Sequence, residues 1–424
     1  MIDTIFRSMK KDYDRALYYW FVLRGATMMM YMFFKLACSV ELGGTFFSNN
    51  VDDNNFAMYL TFFNVTLCMI IMLMANDFYM KKKSRELAIL LVCGCTYVDL
   101  VTFLLMQTLI LLATAIPIGL GLGKLCFPFV NWIMSVLSNE TVVIHSTSEA
   151  LGGMCFTLIF EIVWIILFNL SFCYQSSINT FIHDDVKPSQ ALKIGFTSKK
   201  WFQFLNIIFP MVYGYCAYVL YHSWDNGNKM INCSIIGVVA LAFTIVNVIC
   251  PFLKKFNFSL FGSNPKKLAY MGFFREDLKL IRYYLALFVV TSIALTTIIV
   301  SVKDNSGHLA LIILSFIMLL PLMSLALMFR FITEMSRRVK TFYTLDKWGF
   351  LASEQKSVVL HETVLLFGFI ALVSLVYIIA GLTTLYQHRL ISMGVVEIVL
   401  SAFSIPLVVV GIISYVFYRK TVIA

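Results

Sequence analysis

Apolar runs of spanning length alternate with short polar stretches along this 424-residue chain, at approximately 18–40, 57–79, 98–122, 153–174, 201–221, 233–253, 282–302, 308–330, 362–385 and 394–417. About 20 mostly apolar residues cross a hydrocarbon core as an α-helix, so the pattern predicts ten membrane-spanning helices and an all-α polytopic membrane protein. The composition agrees: 60% of residues are hydrophobic and 13% charged, against about 25% charged in an ordinary soluble domain.

The polar stretches carry an orientation, because Lys and Arg in short loops stay on the cytoplasmic side. With the N-terminus inside, the inner loops hold Lys81, Lys82, Lys83 and Arg85; Lys187, Lys193, Lys199 and Lys200; Lys254, Lys255, Lys266, Lys267, Arg275 and Lys279; and Arg337, Arg338, Lys340, Lys347 and Lys356. The outer loops hold little beyond Lys124, Lys229, Lys303 and Arg389. Removing one span would invert every later loop and destroy this asymmetry. Both termini are therefore expected in the cytoplasm. The first apolar run follows Arg7, Lys10, Lys11 and Arg15, lacks a small-residue cleavage site and continues at spanning length, so it reads as a retained helix. The net charge of +10 reflects membrane orientation, since the basic residues lie between apolar runs and form no face for nucleic acid. Most of the ten cysteines sit inside apolar runs without metal-ligand spacing and read as small buried hydrophobes.

A repeat runs through the chain at an offset of 255 residues. It places Lys82 on Arg337, Lys83 on Arg338, Arg85 on Lys340, Gly94 on Gly349 and Gln107-Thr108 on Glu362-Thr363. With looser offsets, Asp12 and Tyr18-Tyr19 fall on Asp277 and Tyr283-Tyr284, and Glu161-Ile162-Val163 falls on Glu397-Ile398-Val399. Residues 1–200 and 266–424 thus read as two four-helix modules, with 201–265 as a two-helix bridge. The copies stand six spans apart, so they share one orientation, unlike the inverted repeats of many secondary transporters.

A spanning helix followed by basic residues, Arg85-Glu86-Leu87-Ala88-Ile89-Leu90, Gly94, a short helix with Gln107 and the small-residue run Gly119–Gly123 resembles the FtsX/MacB superfamily of ABC transporter permeases. The ten-span layout is similar to BceB-like antimicrobial-peptide permeases. Those permeases carry a large extracellular domain between spans seven and eight; here that connection is only a few residues around Lys303–Gly307. The resemblance implies two copies of a cytoplasmic ABC ATPase as partners, with ATP and Mg on the ATPase and no cofactor in this chain. It also implies a peptide substrate, contact with membrane lipid and a location in the bacterial cytoplasmic membrane. A sensor kinase is a further candidate partner.

Under this reading, segments near 80–97 and 335–356 are coupling helices that dock the ATPases. Arg85, Glu86, Leu87, Ile89, Leu90 and Gly94 serve in the first, and Arg338, Lys340, Trp348 and Gly349 in the second. Apolar side chains would enter a groove on the motor, charges would fix register, and the glycines would end the helix where positive φ is needed. Lys81–Lys83 read also as ordinary positive-inside residues at lipid headgroups. Inside the spans, Glu161 and Glu397 are costly ionisable groups expected to pair with Arg24 or Lys35, to contact a cationic peptide or, for Glu397, to reach water. Gly119-Leu120-Gly121-Leu122-Gly123-Lys124 lacks the glycine a phosphate loop needs at position 118 and reads as a close helix contact. The segment around Trp132 reads as a short amphipathic or re-entrant piece in an outer loop.

No hydrolase, Walker or metal-ligand motif is present, so catalysis is expected in a partner. The expected activity is ATP-driven export or removal of a hydrophobic or amphipathic peptide, as in bacteriocin or antimicrobial-peptide resistance. Export of a lipid or a self-made signalling peptide, a non-transporting regulatory protein and an ion-coupled transporter are the alternatives.

Overall fold

A computed structural model describes residues 13–38, 51–138, 148–175, 200–222, 227–244, 248–249, 264–301, 306–389 and 391–423. These residues form ten α-helices: α1 Tyr13–Ala37, α2 Val51–Val92, α3 Tyr97–Ser138, α4 Ser148–Gln175, α5 Lys200–His222, α6 Gly227–Thr244, α7 Pro265–Ser301, α8 Ser306–Lys347, α9 Ala352–Gln387 and α10 Met393–Ile423. Among the described residues, six of them, α2, α3, α4, α8, α9 and α10, are long and apolar enough to cross a membrane. The protein is therefore an all-helical, multi-pass membrane protein. The six are the second, third and fourth helices of each expected module. Helix α1 carries Asp14, Arg15, Arg24 and Lys35 within 25 residues, and the described residues of α7 include a shorter apolar stretch, Leu287–Thr296.

Several helices run past their expected ends. Helix α2 continues to Val92 and α8 to Lys347, so the segments at 80–92 and 335–347 are extensions of membrane helices and not separate coupling helices. Beyond the turn at Gly94 the expected short helix is the first part of an unbroken α3. That helix also runs through Lys124 and Trp132 to Ser138, replacing the expected re-entrant piece. Long leucine-rich sequence keeps helix propensity high, and Pro117 and Pro128 are carried within the helix. The sixth expected span lies partly outside the described residues, as do the side chains of Arg85 and Lys340.

The chain divides into two units, Met1–Lys193 with Ser306–Leu314, and Ile194–Asn305 with Ser315–Ala424. In the first, α1 packs against α2, α3 and α4. Its buried face, including Tyr19, Val22, Leu23, Ala26, Thr27 and Met30, repeats at helical spacing. Gly119 and Gly123 let α3 approach α1 closely. A Cβ at Gly119 would strike the Thr27 hydroxyl, and one at Gly123 would lie 2.7 Å from the Tyr31 ring. The small-residue run is thus a helix contact, as its spacing predicts. The Trp20 indole N–H donates to Thr114 Oγ1 at 3.2 Å across the same pair of helices.

In the second unit α7 packs against α9 and α6, and α9 against α10 and α5. Aromatic contacts tie α8 into this set: Phe331 meets Phe367 and Tyr418 edge-on, and Phe342 meets Phe273 and Tyr418. In both units the first helix of the repeat lies against the third, and the third against the fourth.

Candidate functional site: paired helical turns and the buried polar clusters beneath them

The 255-residue repeat is a repeat of backbone geometry. Helices α2 and α8 are each 42 residues long and begin and end at equivalent positions, 51 and 92 against 306 and 347. At the first turn, the amide of Cys93 donates to Ile89 O, that of Gly94 to Leu91 O and that of Cys95 to Leu90 O. At the second, Trp348 donates to Thr344 O, Gly349 to Asp346 O and Phe350 to Leu345 O. Every donor and acceptor is displaced by 255. Gly94 has φ 92° and Gly349 φ 87°, the left-handed conformation that closes a Schellman motif and that glycine adopts without strain.

The next helix starts in register too. Asp99 caps back onto the Thr96 amide at 3.0 Å, while the Asp99 amide donates to Thr96 Oγ1 at 3.3 Å, a reciprocal cap on α3. Glu354 accepts from the Leu351 amide at 3.2 Å in the equivalent place on α9. Leucine has no side-chain acceptor, so only half of the reciprocal cap survives. Lys266 of α7 braces Glu354 at 2.8 Å, and Gln355 Nε2 donates to Phe350 O at 3.2 Å, holding the second turn against α9.

The side chains at these turns divide by exposure. Ile89, Val92, Tyr97 and Val98 are exposed at the first turn, and Tyr343, Trp348 and Leu351 at the second, with Val92 70% and Trp348 79% accessible. Leu87, expected on a docking surface, is instead buried in a cluster with Met80, Ala88, Leu100, Phe103, Leu104 and Cys173, against which Leu90 packs. Its helix phase points it at α3 and α4. Glu86 is half-buried and accepts from Lys83 Nζ at 3.1 Å.

Each module holds a buried polar cluster that draws side chains from four helices, among them the two that meet at the turn. In the first module the Tyr19 hydroxyl (α1) donates to Asn76 Oδ1 (α2) at 3.1 Å. Asn76 Nδ2 donates to Asn169 Oδ1 (α4) at 2.9 Å, and Asn169 Nδ2 to Thr108 Oγ1 (α3) at 3.0 Å. Tyr19 stacks on Tyr79 with ring centroids 4.8 Å apart, and Tyr79 donates to Gln107 Oε1 at 3.5 Å.

The second cluster is ionic. Arg338 (α8), buried at the position equivalent to buried Lys83, donates to Asp277 Oδ1 (α7) at 2.5 Å and to the Tyr418 hydroxyl (α10) at 3.2 Å. It also pairs with Glu362 (α9), and Tyr418 donates to Glu362 Oε2 at 2.9 Å. Phe273 O accepts a further bond from Arg338 at 3.2 Å, and the Phe273 ring lies under the guanidinium. Burial pulls the Arg338 guanidinium down, but Asp277, Tyr418 and Glu276 outweigh it and hold the group above its ordinary value. Arg338 therefore joins four helices from within, and its expected place on an exposed docking face is corrected. The sequence register paired Gln107-Thr108 with Glu362-Thr363; it gave no sign that Asn76, Asn169, Asp277 and Tyr418 join them, because Asn76 falls on the apolar Phe331 and the other three come from helices at other offsets.

The intramembrane carboxylates are not equivalently placed. Glu161 lies in the middle of α4 and is fully buried, whereas Glu397 lies in the second turn of α10 and is exposed. Neither expected cation reaches Glu161: the Arg24 guanidinium lies 4.8 Å from the Trp20 and Phe21 ring centres, and the Lys35 ammonium 3.6 Å from that of Phe127. The chain matches no protein-family model and no curated protein sequence.

Proposed function

We propose that this chain is the permease of an ATP-driven ABC transporter of the FtsX/MacB type, with ten spans arranged as two four-helix modules and a bridge, both termini in the cytoplasm of a bacterium. The observation that carries the reading is the duplicated turn, with three backbone bonds reproduced at one offset and exposed apolar side chains in both copies. Two like levers suit two like motors. Val92 and Val98 at one turn, and Trp348 and Leu351 at the other, are the side chains that would enter a groove on each ATPase; Arg85 and Lys340 would fix its register. The buried clusters would carry the push inward, because each links four helices, among them the two that meet at one turn. The cargo is a hydrophobic or amphipathic peptide, met within the membrane domain, and the physiological role is resistance or immunity.

The test is expression of the chain in its native host, followed by gentle detergent extraction and identification of co-purifying ATPase subunits. A complex with two ATPases per chain, weakened by Trp348→Asp and by Val98→Asp with the permease still folded, is the expected result. Recovery of the chain alone under those conditions would remove the basis of the proposal.

A further inference from the structure

Glu161 makes no hydrogen bond to either polar cluster. Its side chain is fully buried, and neither carboxylate oxygen has a hydrogen-bond partner among the described residues. Helices α1, α2 and α3 pack against α4. Tyr19 from α1, a member of the first cluster, and Cys68 from α2 lie within electrostatic reach of it, both buried and neither a cation. On α3 the titratable groups are Tyr97, Asp99, Lys124 and Cys126; Asp99 is engaged by Thr96 at the helix start, and Lys124 is exposed. Arg24 and Lys35 of α1 lie over aromatic rings. A buried carboxylate without a cation or donors carries an uncompensated desolvation cost; a neutral carboxyl in the same place carries far less.

We propose that Glu161 is a proton-binding site inside the first helical bundle. The carboxyl holds its proton while α4 is packed against α1 and α2, and releases it when water or a cation reaches the group. A proton bound only by the packed arrangement biases the bundle toward that arrangement, and opening at α4 discharges it. Nothing else is consumed; one proton moves between the Glu161 carboxyl and water. The inference is independent of what binds at the helical turns.

The experiment is infrared difference spectroscopy of the full-length protein in lipid, wild type minus Glu161→Gln, at neutral pH. The expected spectrum contains the carbonyl band of a protonated carboxyl, with no matching carboxylate bands, and the band persists when choline is exchanged for sodium at constant pH. Because glutamine copies the shape and neutrality of the protonated acid, Glu161→Gln is expected to fold with its thermal midpoint unchanged. Carboxylate bands from Glu161, loss of the protonated band in sodium, or failure of Glu161→Gln to fold would each overturn the proposal.

Discussion

Arg338 shows how one side chain can fasten an entire module. It holds two carboxylates and a tyrosine from three other helices in a region nearly closed to water. Removing one member of such a group strands the others, a loss of about 3–5 kcal/mol. Arg338→Met is expected to lower resistance to unfolding by about that amount. The triple variant with Asp277→Asn and Glu362→Gln should recover most of it, because no charge is then left unpaired. Denaturant titration in mixed micelles distinguishes these outcomes; equal losses in the single and triple variants would show that packing by the arginine stem dominates. The two glycines at the turns give a second test at this scale. Gly94→Ala and Gly349→Ala place a Cβ in left-handed backbone at about 1–2 kcal/mol each. There is open space around both glycines, so the penalty should be purely conformational and alike in the two copies.

Among the helices, α1 and α3 depend on a glycine face. Gly119→Val and Gly123→Val should each push α3 off α1 and destabilise the first unit by about 1–3 kcal/mol. A Cβ at Gly121 on the same helix meets nothing within 4 Å, so Gly121→Ala should be close to neutral; unfolding curves of the three variants compare contact with composition directly. Spacing alone made this glycine run legible, since residues four apart share one helix face. The lengths of α2, α3 and α8 were not legible. An apolar run reports where lipid begins and ends, whereas a helix continues for as long as its backbone bonds can be made, so α2 and α8 pass beyond the apolar core into charged sequence, and α3 stays helical and apolar through Lys124 to its end.

For the whole molecule, the ten-span arrangement requires both turns on one side of the membrane. Native Cys93 is exposed, and Trp348→Cys would place a thiol at the position equivalent to 93 in the second copy. A membrane-impermeant maleimide should reach neither thiol in intact cells and both after permeabilisation. Modification of one but not the other in intact cells would rule out a parallel repeat and, with it, the paired-lever reading. The repeat itself was visible in the sequence because glycines at positive φ and the residues beside them are set by local backbone geometry, which leaves a fixed offset. The four-membered clusters were hidden because their partners join from helices whose loops differ in length between the copies, so no single offset brings Asn169 or Tyr418 into line.

Sequence alone determined the membrane setting, the helical class and the two equivalent turns, since hydropathy over some twenty residues and the demands of a left-handed backbone position are local properties. Only tertiary structure decided which polar residues are buried together. It turned Leu87 and Arg338 inward, left Trp348 outside and separated Glu161 from the cations expected to pair with it. Those outcomes depend on the rotational phase of each helix against its neighbours, which packing across several helices fixes and no single stretch of chain encodes.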